Sequence, residues 1–157
     1  MNLCDWARLL LSTRAPGFTF RLHHIVYRLT GGRFLATSGR MPVLSLTTTG
    51  RKTGKHHARL VSYFEDQGRF VLVASNVGRG RHPAWYLNLR AHPDASIQIG
   101  AARTCVRAEI ASESERARLW SIAARLDPLY SVYQQRTTRI IPVVILHPRA
   151  GTSRDGE

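Results

Sequence analysis

Apolar residues recur at helical spacing in two segments near the start of the chain. Residues 2–12 and 18–29 each place apolar side chains on one helical face. Pro16 and Gly17 separate the segments, and the Gly31-Gly32 pair follows the second as a C-terminal glycine cap would. The pattern therefore predicts a helical N-terminal segment over residues 1–33.

The hydrophobic pattern then changes to one that favours strands. Six segments are rich in β-forming residues and most are joined by short turns: 43–49, 59–64, 69–75, 95–100, 103–110 and 140–146. In the fifth segment polar and apolar positions alternate, which indicates one wet face. Pro142 moves the start of the last strand to a sheet edge.

Three further helical stretches interrupt these strands. The first has Pro83 near its first position and Pro93 just beyond its end. Ser112 and Glu115 form a capping box ahead of the second, and residues 129–135 form a third, short helical or irregular segment. Because no βαβ alternation dominates, we expect an α+β protein whose mainly antiparallel strands close into a small barrel with flanking helices over residues 34–148. Residues 149–157 are expected to be disordered.

Charge points to an anionic ligand. The chain of 157 residues carries 23 basic and 10 acidic side chains, a formal charge of +13. Residues 6–64 contain no acidic residue but ten basic ones. Charge alone leaves a small acidic ligand, nucleic acid and an anionic membrane open.

Cysteine usage and hydropathy bear on location. Cys4 and Cys105 lie far apart and form no metal-binding or disulfide pattern, which suits a reduced cytoplasm. No run approaches the 18 apolar residues of a spanning helix. We expect a cytoplasmic protein, with peripheral contact at the inner face of the cell membrane as an open alternative.

The turn between the first two predicted strands carries the most chemistry. Residues 47–55 combine hydroxyls, two glycines and three cations, Arg51, Lys52 and Lys55. Glycines can turn backbone N–H groups into a concave anion site. The nucleotide-hydrolysing phosphate loop is a poor match, because Gly50 and Gly54 enclose three residues and His56 replaces the magnesium-binding hydroxyl. The alternatives are a phosphate-binding turn and a plain basic hairpin.

Two other groups of residues are candidates for a site. Ser75 and Asn76 end a predicted strand at the same edge of the sheet, where they could meet a ligand. Tyr130 and Tyr133 lie three residues apart, so they share a helical face and could donate a proton or hydrogen bond. Aromatic packing is the alternative for both tyrosines. The seven histidines show no metal-ligand spacing, so no metal site is expected.

Four ordered blocks resemble the deazaflavin-dependent nitroreductase and quinone reductase family, which uses coenzyme F420, an 8-hydroxy-5-deazaflavin. The matching residues are 46–54, 73–76, 82–89, and 130–134 with 141–144. The resemblance covers roughly residues 41–148 and implies a split β-barrel of the FMN-binding type. The coenzyme carries a phosphodiester and an oligoglutamate tail, which the acid-free basic flank would match.

The resemblance also implies roles for individual residues. Those that would bind the coenzyme are Arg51, Lys52, Thr53, Gly54, His57, Leu60, Val73, Ser75, Asn76, Ala84 and Trp85. Lys52 and its neighbours would grip the phosphate, and the ring would lie in a groove bordered by Ser75 and Trp85. The residues that would serve catalysis are Tyr130, Tyr133 and Ser75.

The chain departs from the family pattern at several positions. His56 and His57 stand where relatives commonly have proline and arginine, so a titrating group replaces a permanent cation. Leu60 replaces a usual proline, and Ser62 and Leu126 stand where some members have tyrosine. These differences leave the acceptor open, and they predict a pocket unlike that of the nitroimidazole-activating members.

The favoured function is hydride transfer from reduced F420 to a quinone, enone or nitroaromatic acceptor. One alternative is an FMN-binding split-barrel oxidoreductase. Another is a non-enzymatic basic protein on an anionic membrane or nucleic acid, although the sequence has no nucleic-acid reader motif and no such partner is expected. Homodimerisation is also open.

Overall fold

The computed structural model describes residues 37–38 and 41–149. The strands are β1 (Thr37–Ser38), β2 (Met41–Thr49), β3 (His56–Asp66), β4 (Arg69–Val73), β5 (Asp94–Ile99), β6 (Ala102–Ile110) and β7 (Val143–Pro148). The helices are α1 (Ala84–Ala91), α2 (Glu113–Leu126) and α3 (Leu129–Gln135), and Asn76–Gly78 forms a short 3₁₀ turn. The predicted helices of residues 1–33 and the predicted tail beyond Arg149 lie outside the described residues.

Six strands form a closed antiparallel barrel. Their order is β2-β3-β4-β7-β6-β5, and β5 pairs again with β2 through four residue pairs from Ser45↔Gln98 to Thr48↔Ala95. The two-residue β1 extends only the start of β2. The six-stranded antiparallel α+β barrel predicted from the sequence is confirmed.

The barrel buries side chains on both of its faces. Alternate residues of β7 show this, since Val144 and Leu146 point into the barrel cluster while Val143 and Ile145 pack in a second cluster with Leu119 of α2. A strand buried on both faces reads as the continuous apolar run seen in the sequence. The barrel is therefore held from inside by its own side chains and from outside by α2 and α3.

Several element ends differ from the sequence prediction. The fourth strand ends at Val73, so Ser75 and Asn76 follow it in a turn. The last strand begins at Val143, not at residue 140, because Pro142 has no N–H to donate. The predicted cap of α2 is confirmed, since the side chain of Ser112 accepts from the N–H of Glu115.

Helix α1 connects the barrel interior with the surface that carries the candidate site. Its Tyr86 and Leu89 are buried in the inner cluster. Pro83 precedes the helix, whose first residue is Ala84, as the sequence predicted. Among the described residues, no helix has the length and apolar character required to cross a membrane.

Candidate functional site

The glycine turn between β2 and β3 is closed by its own backbone. The N–H of Gly50 donates to the carbonyl of Lys55 at 2.7 Å, and that of Gly54 donates to the carbonyl of Gly50 at 2.8 Å. Gly54 has φ of 68°, a left-handed conformation that favours glycine. The N–H groups of both glycines are therefore used inside the turn, and any amides that face a ligand belong to the residues between them.

Gly50 is required for a different reason from Gly54. A Cβ at Gly50 would lie 2.8 Å from Nε2 of His57 and 2.9 Å from Oγ1 of Thr53. Both side chains thus pack directly against the backbone of Gly50 and occupy the space that a larger side chain would need. The side chains of His57 and Thr53 therefore lie close together at Gly50. The resemblance implies that both residues bind the coenzyme.

Asn88, which the sequence analysis did not select, joins α1 to the turn. Its amide nitrogen donates to Oγ1 of Thr48 at 3.1 Å, and its Oδ1 accepts from the backbone N–H of Arg51 at 3.2 Å and from Nη1 of Arg51 at 3.5 Å. Asn88 is only 5% exposed. A sequence signal existed, because Asn88 lies three residues after Trp85 and beside Leu89, on the side predicted to be buried.

A cavity of about 200 Å³ lies between the turn and α1. We call it the turn cavity. Six of the residues predicted to bind the coenzyme line it: Arg51, Lys52, Thr53, His57, Ala84 and Trp85. Asn88 and Arg59 line it too, so cationic side chains face a half-buried indole across a small space.

A second cavity, of about 550 Å³, adjoins the first and shares Arg51 and Ala84 with it. We call it the loop cavity, because Asn76, Arg81 and His82 of the segment after β4 contribute to its wall. We refer to the two cavities, which share Arg51 and Ala84 as lining residues, together as the groove. Asn76 lines the loop cavity from the turn after β4 and not from the end of a strand.

Four predicted coenzyme contacts lie outside the lining of these two cavities. Gly54 is at the exposed outer end of the turn, and Leu60 is partly buried on β3. Val73 is 5% exposed and packs in the outer cluster. Ser75 is half-buried, and its carbonyl oxygen accepts hydrogen bonds from the N–H of Gly78 and from Arg139.

The two tyrosines of α3 have different surroundings. Tyr130 is 7% exposed, with its ring centroid 6.3 Å from those of both Trp120 and Tyr133. Tyr133 is less buried, and its carbonyl oxygen would lie 2.7 Å from a Cβ at Gly78. Tyr130 thus has the surroundings of a core residue, whereas Tyr133 lies against the turn that follows Asn76.

That turn has an unusual backbone. Asn76, Val77 and Gly78 all have positive φ, of 48°, 59° and 74°. For a β-branched residue such as Val77 this conformation is a genuine outlier. The side chain of Asn76 donates to the carbonyl of Arg81 at 2.9 Å, which helps to hold the turn in place beside the loop cavity.

Comparisons with known proteins identify a family that this chain matches in sequence. The family model described as F420H(2)-dependent quinone reductase matches residues 19–148. An F420H(2)-dependent quinone reductase of Mycobacterium tuberculosis (strain H37Rv) is 41% identical over 133 residues, covering 82% of this chain and 89% of the relative.

Two solved structures are also similar. One is described as an F420-H2 dependent reductase, FDR-A, with 36% identity and a TM-score of 0.62 over 68% of this chain and 94% of the other. The other is described as a domain-swapped dimer, with 30% identity and a TM-score of 0.65 over 93% of this chain and all of the other. The resemblance read from the four sequence blocks is thereby confirmed, and the chain belongs to the F420H(2)-dependent quinone reductase family.

Proposed function

We propose that this chain reduces quinones with reduced F420, which binds along the groove formed by the turn cavity and the loop cavity. The observation that carries the proposal is that the two cavities share Arg51 and Ala84 in their walls. The groove comprises a cationic cradle and a wider space beside α1. A coenzyme with an anionic arm and a flat ring needs both.

The residues present fit such a group. Arg51 and Lys52 supply positive charge at one end of the groove. Gly50 lets the backbone of the turn lie close to the side chain of His57, with which a Cβ at this position would collide. In the described part of the chain, the amides of Lys52 and Thr53 make no hydrogen bond within the protein. We infer that these two amides, with the Arg51 and Lys52 side chains, hold the phosphate.

Asn88 preorganises Arg51 of the glycine turn for binding the coenzyme. Its Oδ1 accepts from both the backbone and the guanidinium of Arg51, which limits the conformations of that side chain. A preorganised cation loses less conformational entropy on binding. We therefore assign Asn88 to positioning Arg51.

Trp85 and Ala84 are the residues by which the start of α1 lines the turn cavity. We propose that the half-buried indole of Trp85 lies against the ring and shields it from water. Ser75 would act through its backbone, since its carbonyl oxygen is bound by Arg139 at the rim of the loop. Bound F420H2 supplies the hydride, and a proton completes the two-electron reduction of the quinone to a hydroquinone.

Tyr133 is the better placed of the two tyrosines for an acceptor role. Its backbone lies against Gly78, two residues from Asn76 of the loop cavity, and its side chain is more exposed than that of Tyr130 at the edge of the outer cluster. We propose that Tyr133 positions or protonates the quinone and that Tyr130 supports it from the outer cluster. Leu60, Val73 and Gly54 would contribute to the shape of the site from behind it.

Lys52 and Lys55 provide a matched test of the phosphate role. Both lie in the same exposed turn, but only Lys52 lines the turn cavity. Binding is measured by the fluorescence of F420 titrated with protein. We expect Lys52→Ala to weaken binding about tenfold, as for the loss of one charge-assisted hydrogen bond, and Lys55→Ala to weaken it less than threefold. Equal affinity of Lys52→Ala and wild type would overturn the assignment.

The FMN alternative is not favoured by the comparisons, since the family model and the M. tuberculosis relative are both described as F420H(2)-dependent. The same titration with FMN tests it directly. We expect little FMN binding at concentrations at which F420 saturates the protein.

We also propose that the chain forms a homodimer, supported by the 30% identical structure described as a domain-swapped dimer. Light scattering coupled to gel filtration checks this by mass. A single monomer mass across micromolar concentrations would contradict it.

A further inference from the structure

Arg139, in the segment between α3 and β7, reaches across to the loop that follows β4. Its Nη2 donates to the carbonyl of Ser75 at 2.7 Å and to that of Ala74 at 3.2 Å, and its Nε donates to the carbonyl of Arg79 at 2.9 Å. One guanidinium thus binds three carbonyls of the loop. These contacts fix the loop on both sides of its left-handed turn.

A fourth contact of Arg139 decides the chemistry of His82. Nη1 of Arg139 lies 3.2 Å from Nδ1 of His82. A guanidinium has only donors, so Nδ1 must be the acceptor, and a neutral imidazole then carries its proton on Nε2. His82 also lines the loop cavity. The ring therefore has a donor to offer a ligand.

The surroundings keep this imidazole neutral. Burial, followed by the nearby charges of Arg139 and of Arg90 on α1, lowers the pKa of His82. From α1, the ring of Tyr86 also packs on His82, with centroids 4.8 Å apart. Arg81, the preceding residue, adds another cation to the wall of the cavity.

We propose that His82 is a ligand-binding residue that donates from Nε2–H to an oxygen of bound F420, and that Arg139 is the positioning residue that fixes this tautomer. The inference rests on the proposed function, because it takes F420 as the occupant of the groove. Arg51 lines both cavities and His82 lines the loop cavity, so a coenzyme whose phosphate is held at the turn could reach His82. A neutral imidazole donates to an oxygen acceptor without bringing a charge to the cavity.

Two substitutions separate this role from a purely structural one. In His82→Asn the side-chain amide ends near the position of Nδ1, so it keeps an acceptor for Arg139 but has no donor at the Nε2 position. In His82→Gln the longer amide can place an N–H near the Nε2 position. We expect F420 binding to weaken about tenfold in His82→Asn and less than threefold in His82→Gln, since the hydrogen bond to the coenzyme is lost only in the first.

If His82 served only as an acceptor for Arg139, the order would be reversed. Affinity of His82→Asn equal to that of wild type, or weaker binding by His82→Gln than by His82→Asn, would overturn the proposal. KM for F420H2 and kcat are measured on the same proteins. The loss is expected in KM, because the hydrogen bond is made to the bound coenzyme.

The tautomer is tested separately by nitrogen-15 NMR of the histidine rings in wild-type protein. We expect the neutral His82 ring to be protonated on Nε2 and its pKa to lie below the ordinary value for histidine. A ring protonated on Nδ1, or one that titrates near pH 6.5, would contradict the role of Arg139. If wild-type protein fails to bind F420 at all, the proposed function fails, while the spectrum still decides the tautomer.

Discussion

Replacing Asn88 by alanine tests how much the link between α1 and the glycine turn contributes. The change removes the hydrogen bond to Oγ1 of Thr48, which is 1% exposed, and the acceptor of the Arg51 N–H. The buried Thr48 hydroxyl then keeps only its 3.5 Å hydrogen bond to the carbonyl of His57, and losing the shorter bond from Asn88 costs about 1–2 kcal/mol. The Arg51 amide faces a cavity that water can enter, so losing its hydrogen bond to Asn88 costs about 0.5–1 kcal/mol. The higher helix propensity of alanine returns about 0.5 kcal/mol.

We therefore expect Asn88→Ala to lower the free energy of unfolding by about 2 kcal/mol, measured in urea with an unchanged m-value. F420 should bind several-fold more weakly, because Arg51 is no longer held. A double-mutant cycle with Thr48→Val isolates the bond between the two side chains, with an expected coupling of about 1 kcal/mol. Stability within 0.5 kcal/mol of wild type, as for a neutral surface change, would refute the reasoning.

Two further predictions concern a surface ion-pair network and turnover. Hydrogen bonds from Arg118 and Arg69 lower the pKa of Asp66 to about 2, so the stabilisation is complete above pH 4 and is lost as the pH falls towards 2. Asp66→Asn should lower stability by about 1 kcal/mol at pH 7, after allowing for solvent screening, and the difference from wild type should shrink as the pH falls through 2, whereas Asp94→Asn should change little. Tyr133→Phe should lower kcat for a quinone about tenfold and leave the Kd of F420 within threefold; a change in Kd alone would contradict its acceptor role.

The elements of the barrel could be predicted from the sequence because each has a local signal. The capping box at Ser112, the proline before α1 and the paired β-forming segments depend on neighbouring residues only. The glycine turn was recognisable for the same reason. Its hydrogen bonding was not, because the acceptors of the Gly50 and Gly54 amides depend on how the turn closes.

The supporting contacts of the site could not be predicted in this way. Arg139 binds carbonyls about 60 residues away in sequence, and no periodic pattern encodes such a contact. The end of β4 was predicted two residues late, since the left-handed turn that starts at Asn76 has no strong sequence signal. Tyr130 and Tyr133 look equivalent in sequence, and only packing against Trp120 separates them.

A crystal structure of the protein with bound F420 tests the central claim most directly. The account predicts the coenzyme phosphate within hydrogen-bonding distance of Lys52 and Arg51, with the ring along the groove beside Trp85. The claim would be contradicted if the coenzyme were seated elsewhere on the barrel and the glycine turn made no contact with it.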